Sequence, residues 1–174
     1  MNTRAQTKND RPNGFTLVEL MVTLSVLVIL TTIAVPSFQR AIANNRAAVG
    51  ANELLAALQL ARSEAVRRNS NASLCPSTNG TECTGGTDWS GGWILFHDVA
   101  GNGDWDTGVD ELLRVGSSLS PAVSIDGPLS HMFANTGVSP AVVFDLSVSG
   151  GGNPERCVEV IASGATRVLQ GSCI

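Results

Sequence analysis

Between Leu17 and Val35 lies a run of 19 residues whose only ionisable side chain is Glu19; the rest are apolar residues, Thr and Ser. At ~1.5 Å per residue a helix of that length spans the roughly 30 Å of a bilayer's hydrocarbon. The run therefore dictates a long apolar helix before anything else about the fold. A carboxylate in such a helix costs on the order of 2.5–3.5 kcal/mol at its centre, less near an end, and calls for a partner. Cleavage after Gly14 would create one, because the new α-amino group of Phe15 would lie four residues from Glu19. The leader up to Gly14 carries Arg4, Lys8 and Arg11 against Asp10. A secretory signal is cut after its apolar region, whereas here the small residue precedes it, so the anchor is kept and the basic leader stays cytoplasmic.

The stretch Gly14-Phe15-Thr16-Leu17-Val18-Glu19, followed by an apolar helix, resembles the N-terminus of type IV prepilins and type II secretion pseudopilins. The resemblance implies cleavage by prepilin peptidase between Gly14 and Phe15, N-methylation of Phe15, and a part for Glu19 in docking during filament assembly. It also implies a subunit held in the inner membrane by one span, with everything after about Phe38 in the periplasm.

The chain has 174 residues and a net charge of −4, which suits one small globular domain on a long helix and gives no overall basic character for nucleic acid. Four cysteines, Cys75, Cys83, Cys157 and Cys173, suit two disulfides in an oxidising compartment. Three pairings are possible on paper; Cys75–Cys83 and Cys157–Cys173 are preferred because each closes a short local loop. Their spacings match no zinc pattern, and neither His97 nor His131 lies beside a cysteine pair.

Pro36 follows the apolar run and would kink a helix there, yet helical spacing resumes beyond it. Ile42, Val49, Leu54, Leu55, Leu58, Ala61 and Ala65 form one apolar stripe, with Arg46, Asn52, Glu53, Gln59, Arg62, Arg67 and Arg68 largely off it. The expectation is one helix from Phe15 to about Arg68, ended by Asn69-Ser70-Asn71. Its parts are a transmembrane segment over 15–38 and an amphipathic continuation over 39–70, whose stripe a β-rich head over 71–174 would bury. Strands are expected near 72–75, 92–97, 111–116, 122–125, 131–134, 141–146, 156–161 and 166–170, joined as antiparallel hairpins by short turns. The fold class is α+β: a long N-terminal α-helix packed on an antiparallel β-rich globular head.

The head carries a second resemblance. Leu74-Cys75-Pro76-Ser77, Cys83, Asp88-Trp89-Ser90, Gly92-Trp93-Ile94-Leu95-Phe96, Asn102-Gly103-Asp104 and Glu111-Leu112-Leu113-Arg114 look like the FimT/GspH branch of minor pilins. Arg156-Cys157-Val158 continues the match more loosely. The branch implies a low-abundance subunit near a filament tip, with major and minor pilins or pseudopilins as partners. Some FimT-like members serve DNA uptake and carry a C-terminal Gly-Arg-x-Arg. The counterpart here is Gly164-Ala165-Thr166-Arg167, with Ala165 replacing one arginine, so Arg167 is the one candidate DNA contact and a poor electrostatic site by itself.

Three other constellations have plainer readings. The loop from Asp98 to Asp106 has a calcium flavour, with Asp98, Asn102, Asp104 and Asp106 as candidate ligands. Against an EF-hand pattern, Ala100 and Val109 fill two ligand positions, so an Asx-rich hairpin turn with solvated acids is preferred. Trp89, Trp93 and Trp105 read as packing residues rather than a binding platform, with Trp93 in the core and the other two closing loops. His97 and Asp98 are neighbours on a strand and point to opposite faces. No nucleophile motif or nucleotide fingerprint accompanies them, so neither an enzymatic role nor a cofactor or small-molecule substrate is expected.

Overall fold

In the computed structural model, residues 14–152 and 154–173 are described, so the leader's Arg4, Lys8 and Arg11 lie outside them. Helix α1 spans Leu17–Arg68 and contains Pro36, and the chain divides after Pro36 into two compact units. Thr16 caps the helix: its Oγ1 accepts the backbone N–H of Glu19 at 3.2 Å. In the first unit the polar side chains look after themselves. The hydroxyls of Thr23, Ser25, Thr31 and Thr32 donate to the carbonyls of Leu20, Met21, Val28 and Ile29, three or four residues back. The apolar side chains, from Leu17 at 74% exposure to Val35 at 52%, face outward. By length and composition this part of α1 can cross a membrane.

The second unit begins at Ser37. Helix α1 ends in a Schellman motif: Asn69 takes the left-handed conformation (φ 51°), its N–H bonds Val66 O, and the Ser70 N–H bonds Ala65 O. The eight strands are β1 (Asn71–Pro76), β2 (Trp93–Asp98), β3 (Glu111–Gly116), β4 (Val123–Asp126), β5 (His131–Phe133), β6 (Val142–Val148), β7 (Glu155–Val160) and β8 (Thr166–Gln170). They make two four-stranded sheets ordered β3-β2-β1-β5 and β4-β6-β7-β8, with every pairing antiparallel. The β1–β5 pairing is long-range: Leu74 lies opposite His131. An irregularity in register between Leu95 and Phe96 interrupts the pairing of β2 with the edge strand β3, which blunts that edge.

The helix face that meets the sheets corrects the sequence reading. Leu54, Leu58, Ala61 and Ala65 are buried as expected, but Ile42 and Val49 are 48% and 47% exposed. Their places are taken by Ala43, Ala47, Gly50, Ala51 and Ala57. Close approach is the reason. A Cβ built on Gly50 would stand 3.1 Å from Leu146 and 3.3 Å from Val123, so even a methyl there would make those side chains shift by a few tenths of an ångström.

The tryptophans also change places. Trp89 is the core residue, 1% exposed; its ring meets Phe144 edge-on at 5.0 Å and its Nε1 donates to Pro128 O. Trp93, expected in the core, is half-buried and covers Gly116, where a side chain would collide with the indole. Trp105 packs edge-on against Phe96 at 5.3 Å, beside Cys75 and Ile94 in a smaller cluster.

Candidate functional site

Gly14 and Phe15 precede the helix and both are exposed, Phe15 by 79%. Glu19 sits at the third position of the first turn, so Thr16-x-x-Glu19 has the pattern of a capping box. Its carboxylate is exposed and forms no ion pair among the described residues. Geometry thus leaves a free carboxylate four residues from the bond expected to be cut, at the helix end where a negative charge is favoured by the macrodipole.

The acidic loop is built around Asp98, which is fully buried rather than solvated as expected. Its Oδ2 accepts the Ser73 hydroxyl at 2.9 Å and the Gly103 N–H at 2.8 Å, while Oδ1 accepts the Gly101 N–H at 2.5 Å. Asp110 closes the loop from the far side, accepting the Val99 and Asp106 N–H groups at 3.0 and 2.8 Å. Asn102 accepts the Asp104 N–H, and its amide donates to Asp106. Asp98, Asn102 and Asp110 therefore serve as hydrogen-bond acceptors for the loop's own backbone. No group of three or more His, Cys, Asp or Glu poised to hold a metal occurs among the described residues.

Cys75 is bonded to Cys83 and Cys157 to Cys173, with Cα–Cα distances of 5.6 and 5.0 Å. The second bond ties the C-terminal tail to β7. Arg167, on β8, is paired with Glu159 directly opposite at 2.6 Å, so its charge is already compensated. Gly164 shapes the β7–β8 turn in the left-handed region (φ 76°), and a methyl there would overlap the carbonyl of Gly137.

Sequence reasoning missed three arrangements. Arg62 is not a free surface cation: its Nε donates to Gly137 O and its Nη2 to Ser163 O, both at 3.0 Å, stapling α1 to two loops of the head. Arg68 bridges Glu64 and Glu111, which holds the end of α1 against β3 and raises the guanidinium's pKa. His97 Nε2 lies 2.6 Å from Ser70 Oγ, just past the helix end. Apart from the Glu64–Arg68 pair, which has ordinary i,i+4 helix spacing, nothing in the local sequence marks these contacts, because they join residues distant along the chain. His131 is buried at 4% exposure between Phe133 and Phe144, its Nε2 has no hydrogen-bond partner among the described residues, and burial lowers its pKa to about 4.

Comparison with known proteins places this geometry. The family model described as Type II transport protein GspH matches residues 50–164, and that of the prokaryotic N-terminal methylation motif matches residues 10–35. The chain belongs to the GspH family. Among solved structures, this GspH protein is similar to the type IV minor pilin FimU of Pseudomonas aeruginosa. The alignment has 20% identity and a TM-score of 0.60, covering 75% of this chain and 97% of that one. It is also similar to the minor pseudopilin EpsH of the Vibrio cholerae type 2 secretion system. There the identity is 13% and the TM-score 0.50, with 72% and 97% covered. At these identities the likeness is one of fold. A search of curated protein sequences returns no match. The pilin-like α+β fold expected from sequence is the one observed: a long helix on antiparallel sheets, with an apolar N-terminal part.

Proposed function

We propose that this GspH protein is a minor pilin, a structural subunit that primes or caps assembly of a type IV pilus and so supports twitching motility and attachment. The observation that carries the reading is the exposed apolar half of α1, headed by a processing motif and an unpaired Glu19. Such a helix is stable in water only if lipid or other helices cover it. It would be stored in the inner membrane as a single span, leader inside and head in the periplasm. After prepilin peptidase cuts behind Gly14 and Phe15 is N-methylated, the same helix would pack among those of neighbouring pilins. Glu19 would neutralise the new Phe15 amine, its own or a neighbour's, and so set register.

A role as an H-type minor pseudopilin in type II secretion shares every one of these features. It is favoured by the description of the matching family model and by the likeness to EpsH. DNA uptake has less support, since Arg167 is paired and Ala165 stands where the uptake motif has arginine.

Glu19→Ala tests the assembly reading. The variant should be cleaved and membrane-bound at wild-type levels but depleted several-fold from sheared pili on an immunoblot. Normal incorporation would overturn it. Absence of the wild-type protein from abundant pili, with cleaved protein in the membrane, would transfer the role to the secretion pseudopilus.

A further inference from the structure

Asn-Gly pairs stand at 13–14, 79–80 and 102–103, and Asn13 lies outside the described residues. In such a pair the glycine nitrogen, unhindered by any Cβ, can close a ring on the asparagine side chain. The fold treats the two sites in the head differently. At Asn102 the reacting nitrogen is held: the Gly103 N–H donates to Oδ2 of the fully buried Asp98 at 2.8 Å. A carboxylate bonded to an N–H opposes loss of that proton.

At Asn79 the acceptor is neutral and connected. The Cys75–Cys83 bond and the Thr84 N–H on Pro76 O, at 2.9 Å, close a short loop that carries Asn79 and Gly80. Gly80 takes φ 72°, and a Cβ there would come within 2.9 Å of Val115, so a side chain would be strained on both counts. The Gly80 N–H donates to Ser77 Oγ at 3.0 Å, and the same hydroxyl donates to Asn79 Oδ1 at 3.2 Å. A hydroxyl accepts and donates at once, and Ser77 is only 3% exposed, which keeps bulk water from competing. The N–H groups of Thr81 and Glu82 also donate to Asn79 Oδ1, at 3.0 and 3.2 Å. Three donors thus surround the oxygen on which charge grows when Cγ is attacked, as in an oxyanion hole. Glu82 Oε1 accepts from Asn79 Nδ2 at 2.9 Å and orients the leaving group.

We propose that Asn79–Gly80 is a self-modifying site, at which Ser77 passes the Gly80 amide proton on to Asn79 Oδ1 while the Gly80 nitrogen attacks Asn79 Cγ. Ser77 takes the proton from nitrogen and gives its own to Oδ1, so the tetrahedral adduct is neutral. The adduct collapses as the Cγ–Nδ2 bond breaks; the Oδ1 proton moves to Nδ2, and ammonia leaves a succinimide. Water then opens the ring to isoaspartate or aspartate, with no change of oxidation state. The product carries a new carboxylate beside Glu82 at the exposed tip of the loop, and isoaspartate adds one atom to the backbone there. The reaction runs one way, so the converted fraction records how long a subunit has been folded. It does not depend on which machine the subunit serves.

Timed incubation of the full-length protein in detergent at neutral pH, disulfides intact, tests the site. Peptide mass spectrometry follows the gain of one mass unit at each asparagine, and isoaspartyl methyltransferase labels the isoaspartate. A sample reduced and unfolded in guanidinium supplies the rate that sequence alone gives. In the folded protein Asn79 should convert several-fold faster than Asn102; relative to the unfolded chain, Asn79 should be accelerated and Asn102 slowed. Ser77→Ala should slow Asn79 by about tenfold or more and leave Asn102 unchanged, while Ser77→Thr, which keeps the hydroxyl, should restore most of the rate. Folding that slows both sites alike would overturn the proposal and leave the bonds at Asn79 as a brace for the turn. So would a rate at Asn79 indifferent to Ser77. If Ser77→Ala unfolds, Asn102 will convert at the unfolded rate, and the folded-against-unfolded comparison of the unaltered chain then decides.

Discussion

Arg62 and His131 show how single side chains decide whether the head holds together. Arg62 makes two charge-assisted hydrogen bonds, to the loop carbonyls of Gly137 and Ser163. Such bonds contribute about 1.5–3 kcal/mol where truncation leaves an acceptor behind. Arg62→Ala should therefore lower unfolding free energy by about 2–3 kcal/mol in denaturant titrations of the detergent-solubilised protein. Arg62→Lys should recover only part, because an ammonium cannot reproduce the planar fork. His131 sets a pH dependence. Its pKa falls from 6.5 to about 4 in the folded protein, so below pH 6.5 the unfolded chain binds the extra proton. Its contribution is thus fully present above pH 6.5, declines as pH drops toward 4, and levels off below. By linkage the loss by pH 4.5 is on the order of 2–3 kcal/mol. His131→Leu should flatten that part of the profile when Trp89 fluorescence follows unfolding at pH 7 and 4.5. An unchanged slope would remove His131 from the account.

At the level of elements, the helix and all eight strands were legible because each writes its own period in the chain: 3.6 residues in α1 and short β-prone runs between Gly- and Asn-rich turns after it. The face of α1 was legible only in part. Hydropathy picks out Ile42 and Val49, but the sheets select by volume, and alanine and Gly50 are the side chains small enough to admit Leu146 and Val123. Large apolar residues were thereby left over for the opposite side. Sheet order was not legible, because the β1–β5 pairing depends on contacts across most of the head and on no local signal. The β7-to-tail bond belongs to this scale. It closes a loop with a sequence separation of 16, for which chain entropy gives about 3 kcal/mol. Replacing Cys157 and Cys173 together by Ser should cost about 2–4 kcal/mol and be mimicked by reductant. The matching Cys75–Cys83 loop, with a separation of 8, should yield less.

For the molecule as a whole, the chain divides after Pro36 into two compact units, and the buried residues of α1 all lie in the second. The buried core starts at Ala43 and includes nothing from the apolar run. A chain beginning at Ser37 should therefore remain soluble and unfold at a denaturant concentration within experimental error of the full-length protein in detergent. A markedly lower midpoint would mean that the apolar run contributes to the head's stability. The N-terminal methylation motif was readable in the sequence because its pattern is local, a few residues ahead of an apolar run. The ties that hold the head on its helix, Arg62 and the Arg68 bridge, were not, because they exist only once distant loops are folded against α1.

The hydroxyls of Thr23, Ser25, Thr31 and Thr32 have a consequence for traffic. Each bonds to a carbonyl of its own helix, so none asks for a water molecule, a lipid headgroup or a neighbour's side chain. On the function proposed above, moving this segment from acyl chains into a bundle of helices, or back again, would break none of these bonds. As far as these four hydroxyls go, such a transfer would be as easy in one direction as in the other, which leaves the single carboxylate, Glu19, to give it a direction.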